Sequence, residues 1–309
     1  MTFAPHEPVV VESMPTARFG SLIEFASASR PMYYRHGDIE IVGIGERARW
    51  TASGPGRFAE LSAHWEQALG TIAANLRQHV IALGSGQFDP DGEAQLIVPK
   101  TTIVRRGRDV SIVTVGDSDG TPDPTRRSVG SAPLVEWPHI DSVYRDRVRA
   151  ALARLDSEFG KVVVARAITG EVTKPGDERA PLQKLTNEYP DTHIFALDGL
   201  WGASPETLVR VDRRRISARV LAGSAARGWD AATDAAAAAT LAASAKDREE
   251  HEYAVNSVVT ALAPHCRSIV GAATPFTLRL TNVWHLASDI SGVLGTRSSV
   301  FDLIDSLHP

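Results

Sequence analysis

At 309 residues, with 43% hydrophobic and 23% charged side chains, the chain has the balance of an ordinary soluble protein and can bury the core of one big domain or two ordinary ones. A formal net charge of −4 offers no cationic face to nucleic acid or anionic lipid, and the densest basic run, Arg213-Arg214-Arg215, reads as a solvated turn between strands. The single cysteine, Cys266, excludes an internal disulfide; with no leader-like pattern in Met1–Met14 and no apolar run of bilayer length, a cytoplasmic, non-membrane protein is expected.

The first half reads as strands and turns around one helix. Ile39–Ile44, Ala94–Val98 and Val110–Val115 are β-type, and Phe58–Val80 carries helical periodicity. Gly116–Ala132 collects Gly, Ser, Asp, Thr and Pro, a loop that divides the chain into residues 1–135 and 136–309. His139–Phe159 follows as an amphipathic helix, with Val148, Leu152, Leu155 and Phe159 on one face, Asp141 or Ser142 as N-cap, and Gly160 at its end. Lys161-Val162-Val163-Val164-Ala165-Arg166 then reads as a strand too continuously apolar to be half-exposed. Further strands are expected at His193–Leu197, Leu208–Val211, Ile216–Leu221 and Thr277–His285, with an alanine-rich helix at Asp230–Ala243 and an amphipathic one at Ser298–Leu307. This order lacks the strict alternation of a parallel α/β fold, so the fold class is α+β with antiparallel sheets.

The chemistry concentrates in Lys246-Asp247-Arg248-Glu249-Glu250-His251-Glu252, at the opening of a helix whose apolar face is Val255, Val258, Val259 and Leu262. At roughly 100° per residue, Asp247, Glu250 and His251 fall on the flank of that face, whereas Arg248, Glu249 and Glu252 point to water. Two carboxylates one turn apart at the edge of a core repel each other unless a cation joins them, and oxygen-only ligation suits Mg²⁺ rather than zinc. The competing reading is a solvated charge run that complements the helix dipole.

Other candidates are ambiguous singly. Lys161 either extends to water or sits in a low-dielectric site as a base. Glu206, in Gly202-Ala203-Ser204-Pro205-Glu206-Thr207-Leu208, is either a turn carboxylate capping nearby amides or an acid. Leu221-Ala222-Gly223-Ser224-Ala225-Ala226-Arg227-Gly228 is a glycine-bearing strand end with the wrong spacing for a phosphate loop. His285 alternates with apolar neighbours, as a hydrogen-bonded core histidine does.

Taken in chain order, Lys161–Arg166, Gly202–Glu206, Leu221–Ser224 with Arg227-Gly228, Ala245–His251, and Trp284-His285-Leu286 with Gly292 resemble the chorismate-utilising enzyme family. The resemblance is detailed from about His139 to Pro309 and looser before it. It implies two large antiparallel sheets packed face to face with helices outside, and chorismate bound on Mg²⁺. Within the family the chain is most similar to isochorismate synthases of menaquinone or siderophore type: Lys161 stands where ammonia-using members carry glutamine, Ala222 where aminodeoxychorismate synthases carry a nucleophilic lysine, and Ser224 where others often carry threonine.

The resemblance then implies the roles. Lys161 deprotonates water for attack at C2 of chorismate, and Glu206 protonates the departing C4 hydroxyl from the opposite face. Glu250, with Asp247 through water, holds Mg²⁺ on the ring carboxylate, and Ala222, Gly223, Ser224 and His285 contact substrate. Water as nucleophile needs no amidotransferase subunit, and a monomer is expected. Salicylate synthase, which adds pyruvate elimination, is the alternative activity. Family members continue beyond Ser298–Leu307 with a segment bearing further Mg²⁺ carboxylates, so a C-terminally shortened chain, even a non-catalytic fragment, is also an expectation.

Overall fold

The computed structural model describes residues 3–15, 19–116, 128–137, 143–155, 157–158, 160–272 and 274–308. In chain order, β1 (Val9–Pro15), β2 (Met32–His36), β3 (Ile39–Ile44) and β4 (Ala48–Ser53) lead to α1 (Arg57–Gly70). Then come β5 (Leu83–Gly86), β6 (Glu93–Val98), β7 (Thr101–Arg106), β8 (Asp109–Val115), β9 (Leu134–Glu136), α2 (Val143–Leu152), β10 (Glu171–Lys174) and α3 (Arg179–Glu188). The remainder is β11 (His193–Leu197), β12 (Leu200–Ser204), β13 (Thr207–Asp212), β14 (Arg215–Ala226), α4 (Ala231–Ala243), α5 (Ala245–Leu262), β15 (Cys266–Gly271), β16 (Phe276–Arg279), β17 (Val283–Leu294) and α6 (Val300–Leu307).

The fold is α+β, and among the described residues every strand pairing is antiparallel. The larger sheets are an open seven-stranded one, ordered β1-β8-β7-β3-β2-β11-β12, and a five-stranded one, β13-β14-β17-β15 with β16 also on β17. A three-stranded sheet, β4-β6-β5, lies under α1, where Phe58, Leu61 and Ile72 bury against Trp50, Leu96 and Val98. In the seven-stranded sheet Val42, Ile103, Ile112 and Ile194 pack against Leu22, Ile23 and Leu182. In the five-stranded sheet, alternation does the sorting: Ile216, Ala218 and Val220 of β14 point to one face, which α5 covers with Val255, Val258, Val259 and Leu262. Each fully buried aliphatic side chain there contributes about 1.5–3 kcal/mol. No helix of the described residues is long and apolar enough to cross a membrane.

Several expected elements differ. The Phe58–Val80 periodicity spans α1 and a following run of turns: the helix ends at Gly70, where the Thr71 hydroxyl donates back to the Ala68 carbonyl at 2.7 Å, while Ile72 and Val80 still reach the same core. Of His139–Phe159 the structure has Val143–Leu152, without a buried residue; residues 139–142, with the N-cap candidates Asp141 and Ser142, and Phe159 lie outside the described residues, as does most of Gly116–Ala132. Thr277–His285 is a hairpin, broken where Leu280 N–H bonds the Val283 carbonyl at 3.0 Å.

The largest correction concerns Lys161–Arg166, which is neither buried nor in a sheet: it runs without strand pairing, and Val163 is 80% exposed. A strand exists only through a ladder, and here the Val164 carbonyl accepts instead from the Tyr144 hydroxyl at 3.4 Å.

Candidate active site

α5 is capped by Ser244, whose hydroxyl accepts the Asp247 N–H at 3.2 Å, and the packing of Val255, Val258, Val259 and Leu262 fixes which flank its first turns present. Asp247 and Glu250 are half-buried, His251 is buried, and Arg248, Glu249 and Glu252 are exposed, as the helical period requires. Glu250 Oε1 lies 3.4 Å from Lys161 Nζ, an ion pair between groups 40% and 29% exposed. Ahead of Lys161, Gly160 packs on the same helix: a Cβ there would stand 3.1 Å from the Tyr253 hydroxyl oxygen.

Beneath α5, β14 and β17 pair from Arg215↔Val293 to Ala222↔Leu286, then resume one residue out of step at Ser224↔His285. The extra residue is Gly223, a β-bulge with φ +80°. Glycine is required twice over: the left-handed conformation disfavours a side chain, and a Cβ would lie 3.1 Å from Cβ of Asp247. The bulge brings Ser224 Oγ to 2.7 Å from Nδ1 of His285 across the ladder.

Glu206 reaches β14 from the other side. The Ser204 hydroxyl accepts its N–H at 3.3 Å within the Ser-Pro turn, and Glu206 Oε1 accepts the Leu221 N–H at 3.2 Å. Pairing of β13 with β14 stops at Thr207↔Arg219, so the carboxylate serves Leu221 where the neighbouring strand no longer can. The amide-capping reading of Glu206 thus describes its contact, while the side chain stays solvent-accessible.

Two groups that the sequence left without a role hold this arrangement. His251 is 2% exposed. Its Nδ1 lies 3.2 Å from the Ala222 carbonyl oxygen and its Nε2 2.8 Å from Ser288 Oγ. A carbonyl only accepts, so Nδ1 donates there, and in the neutral ring Nε2 accepts from the serine hydroxyl. Burial holds the His251 pKa below its usual value against the opposing Ala222 bond, and the charge of Lys161 adds to the lowering. At the open end of the β14–β17 pair, Asp234 of α4 accepts from Arg227 Nε at 2.7 Å, from Trp284 Nε1 at 2.8 Å and from Gly228 N at 2.9 Å. The Arg227 guanidinium holds the Asp234 carboxyl well below the usual carboxylate range.

The structure therefore brings Lys161 to Glu250, Asp247 to Gly223, Ser224 to His285 and Glu206 to the Leu221–Ala222 peptide, all around one end of β14. Among the described residues no group of three or more His, Cys, Asp or Glu is disposed to hold a metal ion. Asp247 and Glu250 are half-buried carboxylates one turn apart on α5, Asp247 against Gly223 and Glu250 against Lys161, and both nitrogens of His251 are already engaged.

A profile of the family described as "Chorismate binding enzyme" matches residues 122–309. The Mycobacterium tuberculosis protein named "Putative isochorismate synthase MenF" is 36% identical over 242 residues, covering 74% of this chain and 62% of that protein. Isochorismate synthase DhbC of Bacillus subtilis is 28% identical over 271 residues, 84% of this chain and 66% of that one. The chain thus spans less than two thirds of the length of these relatives. Among solved structures, MenF, the menaquinone-specific isochorismate synthase from Escherichia coli, superposes with a TM-score of 0.80 at 19% identity, over 100% of this chain and 76% of that chain, a likeness of fold.

Proposed function

The chain belongs to the chorismate-binding enzyme family, and on that premise we propose that it converts chorismate to isochorismate. Chemically this is an isomerisation: water adds at C2, the ring double bonds shift, and the C4 hydroxyl leaves as water. It requires a base at one side of the ring and an acid at the other. Lys161 is the candidate base and Glu206 the candidate acid, and the observation that supports the reading is that Lys161 pairs with Glu250, one residue before His251 whose ring bonds the Ala222 carbonyl, while Glu206 accepts the neighbouring Leu221 N–H. Ser224 and His285, joined at 2.7 Å across the β14–β17 ladder, are the candidate substrate contacts next to the bulge.

Mg²⁺ belongs to the same reading. A hard dication that keeps several waters binds through one or two carboxylates and completes its shell with anionic groups of the substrate. The donors here fit that chemistry: Glu250 and Asp247 offer carboxylate oxygens on one helical flank, with no thiolate nearby and no free imidazole nitrogen on His251. When bound, the ion neutralises charge that otherwise opposes a dicarboxylate beside these residues. Glu250, which would hold the ion, now faces the Lys161 ammonium at 3.4 Å.

The test is incubation of the purified protein with chorismate and Mg²⁺, with products separated by chromatography. Isochorismate alone supports the proposal. Salicylate with pyruvate replaces it by a salicylate synthase, and unchanged chorismate under conditions where a bacterial isochorismate synthase turns over removes it. The choice between menaquinone and siderophore use, a cytoplasmic setting, and a monomer needing no amidotransferase subunit belong to the same proposal.

A further inference from the structure

Ala222–Ser224 and Glu250 lie on different elements, a strand and a helix, yet a substrate held by one and charge-neutralised at the other needs a fixed distance between them. The ladder does not fix it, because Gly223 is the residue where β14 and β17 slip out of register. A hydrogen-bonding side chain of α5 reaches across to the sheet. His251 follows Glu250 on α5, is buried at 2% exposure, and spends both ring nitrogens on the sheet, Nδ1 on the Ala222 carbonyl and Nε2 on Ser288.

We infer that His251 is a positioning residue: its Nδ1–H bond to Ala222 holds the bulge at the distance from Glu250 at which chorismate is bound. The inference rests on the proposed function for the site, and adds that the bond from Nδ1, rather than the bulk of the ring, is what matters. Asp247 fits the same geometry, since α5 approaches so closely that a Cβ at position 223 would stand 3.1 Å from Asp247 Cβ. Removing an orienting bond behind a metal-binding carboxylate or its partners typically costs 10–100-fold in affinity or activity.

Two measurements test this on the full chain. In the Lys161→Ala background, where bound chorismate should persist, His251→Ala should weaken chorismate binding in Mg²⁺ by about 10–100-fold. His251→Asn, whose amide reproduces a donor near Nδ1, should recover most of it. His251→Gln, which keeps more of the volume but places its amide near Nε2, should not. Separately, nitrogen NMR of the ¹⁵N-histidine-labelled protein without substrate should find His251 as the Nδ1–H tautomer. A Gln variant that binds at least as well as Asn, or an Nε2–H tautomer, overturns the inference. Chorismate binding indifferent to position 251 overturns it alone, whereas no chorismate binding by Lys161→Ala with His251 intact removes the proposed function and the inference with it.

Discussion

Lys161 Nζ and Glu250 Oε1 stand 3.4 Å apart, so the candidate base and the candidate metal carboxylate face each other directly. If Glu250 holds the proposed cation through this oxygen, the lysine and the cation compete for it, which gives a test that needs no turnover. Partly exposed ion pairs are worth about 0.2–1 kcal/mol. Lys161→Ala should therefore bind Mg²⁺ up to about fivefold more tightly by calorimetry, as removal of a competitor of that strength requires. The same variant should lose isochorismate formation by about 10²–10⁴-fold, as expected for loss of a general base. Weaker Mg²⁺ binding would mean that the lysine supports the metal site instead of competing for it.

Glu206 has a structural contact and a proposed chemical role, and one substitution separates them. In Glu206→Gln the amide oxygen can still accept the Leu221 N–H now held at 3.2 Å. Stability should then stay within about 0.5 kcal/mol of the parent by chemical denaturation, as for other surface substitutions, while kcat falls much more than KM changes. Unaltered kcat would assign the leaving-group proton to water or to another residue.

Gly223→Ala places a side chain at φ +80° and 3.1 Å from Asp247 Cβ. Backbone strain of this kind costs about 1–3 kcal/mol, so the variant should melt at lower temperature, and α5 should shift or lose its contact with the bulge. A crystal structure with α5 unmoved, together with an unchanged melting temperature, would show that the close approach is not constraining.

Acid sensitivity should come in part from His193. Burial first, and then the charge of His36 stacked 3.8 Å away, push its pKa from 6.5 down to about 4. Between those values the unfolded chain binds more protons than the folded one. Its stabilising contribution is therefore complete above about pH 6.5 and declines as the pH falls toward 4. Denaturation measured from pH 7.5 to 4 should show a shallower loss for His193→Gln than for the parent. Equal slopes would place the sensitivity in other groups, such as His36 or His251.

The parts of this structure legible in the sequence are those set by local periodicity. Helical phase alone put Asp247, Glu250 and His251 on one flank of α5 and Glu249 and Glu252 in water, because 3.6 residues per turn holds wherever the helix forms. The Lys161–Arg166 run failed for the opposite reason: an apolar stretch says that a strand could form, but its pairing partner lies elsewhere in the chain and leaves no local mark. Thr277–His285 misled similarly, since the turn at Leu280–Val283 interrupts a pattern that continues on both sides. The site contacts were hidden at a third level. Lys161 meets Glu250 across 89 positions and His251 meets Ala222 across 29, and resemblance to a family named the residues without naming these bonds.

The apolar face of α5 carries a further consequence. Because Asp247, Glu250 and His251 share one helix with Val255, Val258, Val259 and Leu262, their orientation is fixed by their spacing to those packed side chains. Inserting one residue between His251 and Val255 would rotate all three together by about 100° relative to the packed face, carrying Asp247 off Gly223 and the imidazole out of the core. The site is in this sense indexed from aliphatic side chains that touch none of the chemistry.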